Sequence, residues 1–388
     1  MKRITILGST GSIGRSALNV IRRHRDSFRV VGLTAGCNHR LLLNQIKEFK
    51  PEIVAVLDGK SADAIKRQTL VSVFEGTEGI KRVAGYKKSD FVLSAIVGFA
   101  GLVPTLSAIR AGKTIGLANK ESLVSAGEIV MAEAKKRNVR ILPVDSEHSA
   151  ILQCLEGKNI KDVRRIVLTA SGGPFIGMQK NELINVTVED ALRHPSWKMG
   201  RKITVDSATL MNKGFEVMEA HYLFGIEPSK IKVLIHPESI IHSIVELNDG
   251  CNIAQMSLPD MKAPIAYALS YPERLNDVIP PLDLSDVGKL TFMSPDPEGF
   301  PCLSYAYKAL RMGGTVPAVL NAANEVAVEA FLKRRIGFND IPAIIKDTIR
   351  SHTKKDITGI ESVIEADNWA RKLSGDLIGS KERVFRKT

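Results

Sequence analysis

Residues 8–14 read Gly-Ser-Thr-Gly-Ser-Ile-Gly, directly after an apolar run at Ile4–Leu7 and at the start of an amphipathic stretch, Ile13–Arg23. Glycines between a strand and a helix allow a tight turn and let the backbone approach a pyrophosphate, which the helix N-terminus attracts. The spacing is G-x-x-G-x-x-G rather than G-x-G-x-x-G, so its place in a strand–turn–helix unit carries the argument, not the spacing. The same alternation then repeats. Apolar runs at Ile4–Gly8, Val30–Ala35, Ile53–Leu57, Phe91–Ile96, Thr114–Ala118 and Arg140–Val144 predict strands. Helical periodicity at Ile13–Arg23, Arg40–Phe49, Val103–Ala111 and Glu121–Lys136 fills the gaps. Near-continuous apolar strands separated by helices predict a doubly wound parallel, Rossmann-like sheet in an α/β chain.

Beyond residue 145 the pattern becomes α+β. Strands are expected at Ile166–Thr169, Ile231–Ile235, Ser243–Leu247 and Ile253–Ser257, with one strong helix over Ser207–Phe224. Pro272, Pro280, Pro281, Pro295, Pro297 and Pro301 then mark an extended linker, and helical periodicity after it predicts a small all-α C-terminal domain. The expected boundaries are 1–145, 146–271, the proline-rich linker 272–301, and 302–388.

Charge narrows the partners. The chain carries 54 Lys+Arg against 42 Asp+Glu, and residues 1–150 hold 24 and 13 of these, so nearly all the surplus lies in the first half. Aromatics at 5% argue against a base-stacking platform, so anionic small molecules are expected rather than nucleic acid. Cys37, Cys154, Cys251 and Cys302 are too scattered for a zinc motif or a disulfide framework. With no signal-like segment at the start and no long apolar run, a reducing cytoplasm without membrane attachment is the expected location.

Five constellations carry candidate chemistry. After the second strand, Thr34–Arg40 offers no carboxylate to repel a 2′-phosphate, while Asn38, His39 and Arg40 can accept one, which favours NADP over NAD. Asp145 and Glu147, in Pro143–Ser149, point the same way if the segment is extended and then suit a hard divalent cation; alternatively Asp145 or Ser146 caps a helix with Glu147 in its first turn. On the Ser207–Phe224 helix, Asn212, Lys213 and Glu216 share the face opposite the apolar ridge, either as a solvated face or as groups for a phosphate and a metal. Asn119, Lys120 and Glu121 stand where a strand passes into a helix, as ligand contacts or as cap, solvated lysine and dipole complement. The segment from His194 to Gly200, with Trp197, reads as a lid or as a loop anchored by a core tryptophan.

Taken in order, GSTGSIG, LANKES, PVDSEHSA, HPSWKMG, VDSATLMNKGFEVMEA and LNAANEVAV resemble the 1-deoxy-D-xylulose 5-phosphate reductoisomerase family through essentially the whole chain. The resemblance implies an NADP-dependent oxidoreductase that isomerises 1-deoxy-D-xylulose 5-phosphate and reduces it to 2-C-methyl-D-erythritol 4-phosphate, a step of non-mevalonate isoprenoid synthesis. It implies NADPH and a divalent cation (Mg2+, Mn2+ or Co2+), a homodimer, and an NADPH-binding domain followed by a catalytic, metal-binding and dimerisation domain. By this resemblance Gly8, Thr10, Gly11, Ser12, Ile13, Gly36, Cys37, Asn38, Asn119, Glu121 and Gly200 contact NADPH, and Asp145, Glu147 and Glu216 ligate the metal. Lys120, Ser146, Ser171, His194, Ser207, Asn212 and Lys213 contact substrate, and Trp197 and Met199 belong to a closing flap. Position 37 is often basic in the family and here is Cys. Two rival readings remain: an NADP-dependent semialdehyde or sugar-type dehydrogenase, which would not need the three carboxylates together, and a dinucleotide-binding regulatory protein, for which the polar clusters would have no purpose.

Overall fold

The computed structural model describes residues 1–197 and 199–385; Lys198, in the expected flap, and residues 386–388 of the expected C-terminal helical domain lie outside the described residues. In chain order the first elements are β1 (Lys2–Leu7), α1 (Ser12–Arg23), β2 (Phe28–Ala35), α2 (His39–Phe49), β3 (Ile53–Val56), α3 (Gly59–Lys66), β4 (Ser72–Glu75) and α4 (Gly76–Ala84). Then follow β5 (Phe91–Ser94), α5 (Leu102–Arg110), β6 (Thr114–Leu117), α6 (Lys120–Lys136), β7 (Ile141–Pro143), α7 (Ser146–Leu155), β8 (Val163–Ala170), α8 (Val188–Ala191), α9 (Arg201–Ala208) and α10 (Met211–Phe224). The rest are β9 (Ile231–Ile235), β10 (Ile241–Leu247), β11 (Asn252–Met256), α11 (Lys262–Ser270), α12 (Leu284–Val287), α13 (Cys302–Met312), α14 (Val316–Leu332), α15 (Asp340–Arg350) and α16 (Ile360–Phe385).

Two compact units result. The first combines Met1–Ser122, Val130–Ser149 and Asp260–Pro280. Its seven strands run parallel in the order β4-β3-β2-β1-β5-β6-β7, the doubly wound sheet expected from the sequence. Ile4, Ile6 and Leu7 of β1 and Val92 and Leu93 of β5 are wholly buried, because helices cover both faces. β1 is flanked by β2 on one side and β5 on the other, the chain changing direction across the sheet between β4 and β5, and a ligand crevice belongs at the carboxyl ends of β1 and β5. The sequence reading missed β4, α3 and α4. Ser72–Glu75 is a four-residue edge strand with exposed ends, too short and too polar to show alternation.

The second unit comprises Leu123–Ile129, Ala150–Pro259 and the chain from Pro281 onward. Its mixed sheet has the order β11-β10-β8-β9, antiparallel except for β8 with β9. One core joins Ile166 and Leu168 of β8, Phe215 and Met218 of α10, and Leu320, Ala323 and Phe331 of α14. α14 is buried on nearly every side, which is why its sequence is apolar all round. The single helix expected over Ser207–Phe224 is a correction. α9 ends at Ala208, Leu210 adopts the left-handed conformation (φ +60°), and α10 starts at Met211. Thr209 supports the break, its Oγ1 donating to the Asp206 carbonyl at 3.2 Å. No glycine or proline marks it, so periodicity ran straight through.

Candidate functional site

The first unit holds its candidates at the carboxyl edge of the parallel sheet. Gly8 follows β1 at φ +84°, and a Cβ there would stand 2.6 Å from the Ala95 carbonyl oxygen. A Cβ on Gly14 would lie 2.4 Å from the Gly8 oxygen, whereas at Gly11 that same oxygen, 3.4 Å away, is the nearest obstacle. Gly8 therefore lets the turn pack against the chain after β5, Gly14 lets it pack on itself, and Gly11 keeps one side open. α1 starts at Ser12 with no side-chain cap and no acid in its first turn, leaving its N–H groups for an anion. Ser9 braces the turn from beneath: its Oγ donates to Gln45 Oε1 (2.7 Å), and Gln45 Nε2 donates to the Ser9 carbonyl (2.9 Å).

At the end of β2, Asn38 caps α2 by accepting the Leu41 N–H (3.2 Å), and Cys37 is exposed. Thr34–Arg40 itself carries no carboxylate, but a neighbouring element brings one beside Cys37. Asp58, beyond the end of β3, caps α3 by accepting the Ser61 N–H at 2.8 Å, while Ser61 Oγ donates to the Cys37 carbonyl and meets His39 Nδ1, both at 3.3 Å. Hydrogen bonds from Ser61, side chain first, hold the Asp58 carboxyl below its usual range. A reading confined to one strand end could not see a residue about twenty positions later, at the start of α3.

Asn119 is buried beyond β6. Its Oδ1 accepts the Ser122 N–H (3.1 Å) and its Nδ2 donates to the Gly98 carbonyl (2.9 Å) and to Glu121 Oε2 (3.1 Å). The capping reading holds for Asn119, but not the solvated one for Lys120, which is buried and ion-paired with Asp145. Asp145 lies just ahead of α7, so Glu147 falls in that helix's first turn and the extended-segment premise is overturned. Their carboxylate oxygens still come within 4.8 Å of one another. Ser146 joins them, its N–H donating to Asp145 Oδ1 (3.1 Å) and its Oγ to Glu147 Oε2 (2.6 Å).

The second unit gathers the remaining candidates. Ser171 follows β8 and leads into Gly172 and Gly173, both with positive φ; a Cβ on Gly173 would stand 2.9 Å from the Ser207 carbonyl oxygen, so this loop packs on the end of α9. His194 Nδ1 accepts the N–H groups of Ser196 (3.2 Å) and Trp197 (2.9 Å). That places the proton of the neutral ring on Nε2, which donates to Ser171 Oγ at 2.9 Å. Burial lowers the His194 pKa, in keeping with an accepting Nδ1. Trp197 meets His242 edge to face, centroids 6.2 Å apart, and Gly200 caps the start of α9.

On α10, Asn212 Nδ2 donates to Glu216 Oε1 at 2.5 Å and Lys213 pairs with Glu216 Oε2. Lys213 is 4% and Glu216 1% exposed, so the face is not a solvated one. Charges this deep lose hydration that their mutual attraction only partly returns, so an apolar pair would serve stability at least as well. Sequence reasoning missed His242, Asp58 and Ser61, which touch the predicted groups only through tertiary contact.

The donor sets suit the groups the sequence implies. The turn at Gly8–Gly14 is closed on its inner side, where added Cβ atoms at Gly8 and Gly14 would strike backbone, and open at Gly11, while Asp145 and Glu147 in the first unit and Glu216 in the second are all-oxygen donors of the kind hard cations prefer. Comparison with known proteins is consistent over the whole length. A family model described as 1-deoxy-D-xylulose 5-phosphate reductoisomerase matches residues 4–127, and models of the C-terminal domains of that enzyme match 141–224 and 256–373. The enzyme of that name from Thermodesulfovibrio yellowstonii is 56% identical over 98% of this chain and 100% of its own, and that from Geobacter metallireducens 53% identical over 98% and 100%. The solved structure of the Zymomonas mobilis enzyme in complex with NADPH is 42% identical with a TM-score of 0.91, covering 97% of this chain and 99% of its own. Another, of DOX-P reductoisomerase in complex with NADPH, fosmidomycin and magnesium, is 40% identical with a TM-score of 0.92 and covers 98% of each chain. From glycine turn to C-terminal helices, this chain belongs to the 1-deoxy-D-xylulose 5-phosphate reductoisomerase family.

Proposed function

We propose that the two sets of residues work together in the reaction of this family, the conversion of 1-deoxy-D-xylulose 5-phosphate to 2-C-methyl-D-erythritol 4-phosphate with NADPH and a divalent cation. When bound, the cation would polarise the substrate ketone for the skeletal rearrangement, and NADPH would supply the hydride that reduces the aldehyde so formed. Asp145, Glu147 and Glu216 are the residues to hold the cation. Gly8, Thr10, Gly11, Ser12 and Ile13 take the pyrophosphate at the start of α1; Gly36, Cys37 and Asn38 lie towards the adenosine, and Asn119, Glu121 and Gly200 complete the NADPH contacts. Ser171, His194, Ser207, Asn212 and Lys213 bind the substrate, several through its phosphate. Ser146 orients Glu147 by the hydrogen bond it donates and also contacts substrate. Lys120 offsets oxyanion charge as it develops. His194, fixed as the Nε2–H tautomer, presents a donor rather than a base, and Trp197 with Met199 closes over the substrate to exclude water.

The observation that carries these assignments is the buried Lys213–Glu216 pair, an arrangement of opposite charges that stability alone does not require. The dehydrogenase reading offers no purpose for it. The chain is further proposed to act as a cytoplasmic homodimer. β11, at the edge of the second unit's sheet, is the natural seam, and size-exclusion chromatography with light scattering tests it. Among the described residues no helix is long and apolar enough to cross a membrane. The deciding assay follows NADPH consumption with 1-deoxy-D-xylulose 5-phosphate, before and after chelation. Activity should vanish with the metal and return with Mg2+, and Glu216→Gln should lower kcat by about a hundredfold or more. Full activity without metal, or an unimpaired Glu216→Gln enzyme, would overturn the assignment.

A further inference from the structure

The segment Leu320–Val328, one of those that carry the family resemblance, has no role in the chemistry above. Asn321 and Asn324 within it are both wholly buried on α14, whose other buried residues are all apolar. A buried amide destabilises unless it is hydrogen-bonded. Asn324 Nδ2 donates to Asp206 Oδ1 at 2.8 Å, and since a carboxylate only accepts, the amide orientation is settled. Asp206 is 2% exposed and lies on α9; its other oxygen pairs with Lys202, one turn earlier on the same helix, at 3.0 Å. Lys202 is held in turn over the Phe215 ring, 5.1 Å from its centroid.

The place of this pair in the chain gives it consequence. α9 has eight residues, too few to be stable alone, so tertiary contacts fix it. Its first turn receives the flap at Gly200, and Thr204 Oγ1 donates back to the Gly200 carbonyl at 2.9 Å. Its last turn carries Ser207, and the break at Leu210 leads directly to Asn212, Lys213 and Glu216. Val205 and Ala208 give α9 an apolar seat, but apolar contacts alone set helix register poorly. The Asp206–Asn324 bond adds a directional tie to α14. We infer that the Asp206–Asn324 hydrogen bond positions α9, and through it the flap and Ser207, for substrate. Both are positioning residues; neither is catalytic. The inference rests on the family reaction being that of this chain.

A double-mutant cycle on the full-length enzyme tests it, in a Trp369→Phe background that leaves Trp197 as the sole tryptophan. Asn324→Leu should raise the KM for 1-deoxy-D-xylulose 5-phosphate by about tenfold and weaken the Trp197 fluorescence response to that substrate with Mg2+ equally. Asn324→Asp, which sets two carboxylates together, should lose more. Asp206→Asn combined with Asn324→Asp restores an amide–carboxylate pair in reverse and should recover at least about tenfold of the kcat/KM lost in Asn324→Asp. Should Asn324→Leu not fold, Asn324→Ala is measured in its place. A folded variant with unchanged substrate KM and unchanged Trp197 response, or additive losses in the double variant, overturns the inference. Absence of activity in the parent chain would instead strike the family reading.

Discussion

Lys213→Met is the sharpest probe of the buried pair. The substitution keeps an unbranched side chain one atom shorter and removes the ammonium that neutralises Glu216, while Asn212 still donates to one carboxylate oxygen. With the two partners only 4% and 1% exposed, solvent cannot stand in for the lost charge. Leaving one buried charge of a pair uncompensated costs about 3–5 kcal/mol. For a unit of this size each kcal/mol moves Tm by about 2–4 °C, so scanning calorimetry in chelator should show a fall of about 6–20 °C. A cation bound by Glu216 restores positive charge, so Mg2+ should raise the Tm of Lys213→Met by more than that of the parent. Lys213→Met with Glu216→Gln should be more stable in chelator than Lys213→Met alone, since no buried charge is left. A Lys213→Met variant within about 2 °C of the parent in chelator would refute the electrostatic reasoning. An equal Mg2+ response in both would refute the placing of the cation on Glu216.

Three further outcomes follow from the geometry. Gly14→Ala puts a Cβ within 2.4–2.5 Å of the Gly8 oxygen and the Ser9 Cα, both backbone; NADPH affinity measured by calorimetry should fall by about tenfold or more, with the fold retained by circular dichroism. Burial lowers the His194 pKa below its unfolded value near 6.5, so the stability it contributes is complete above that value and is lost as pH falls from it to the folded pKa. A protonated ring cannot accept the Ser196 and Trp197 N–H groups, so substrate KM should rise as pH falls through the lowered folded pKa, and that rise should be absent in His194→Gln. Asp58→Asn keeps an oxygen to cap α3 but removes the negative charge beside Cys37; the ratio of kcat/KM for NADPH over NADH should increase by about two- to fivefold, and no change would dissociate Asp58 from cofactor choice.

The doubly wound sheet was legible because its strands are buried on both faces, so Ile4–Leu7 and Phe91–Ser94 read as continuous apolar runs. Ser72–Glu75 was not, since an exposed edge strand has no such constraint. Local sequence also led to Asn119 as a cap, Ser146 beside Glu147, and the glycine turn. It failed wherever one element depends on another. The break at Leu210 is stabilised by Thr209 and by the anchoring of Asp206 on α14, more than a hundred residues on, and no window contains both. The burial of Lys120, Lys213 and Glu216 was hidden for the same reason: composition ranks all three as surface residues, and only the packing of their helices removes them from water.

The basic surplus of the first 150 residues receives a different explanation from the one the sequence invites. Much of it stands in the last turns of helices: Arg22 and Arg23 on α1, Lys47 on α2, Lys81 and Arg82 on α4, Arg110 on α5, Lys135 and Lys136 on α6. Each such cation complements the negative end of a helix dipole. In a parallel strand–helix sheet, helix C-termini lie at the edge where strands begin, opposite the carboxyl edge that holds the glycine turn. Several of the basic side chains are also already paired, as Arg3 with Asp90 and Arg22 with Glu48. Phosphate attraction at the cradle therefore comes chiefly from uncapped N–H groups of α1 and from a first turn without acids, not from the net charge. Adding a carboxylate at Ser12 should accordingly weaken NADPH binding far more than removing Arg22 and Arg23 together. Calorimetric titration of the two variants separates a local dipole from a diffuse field, and equal losses would restore the net-charge account.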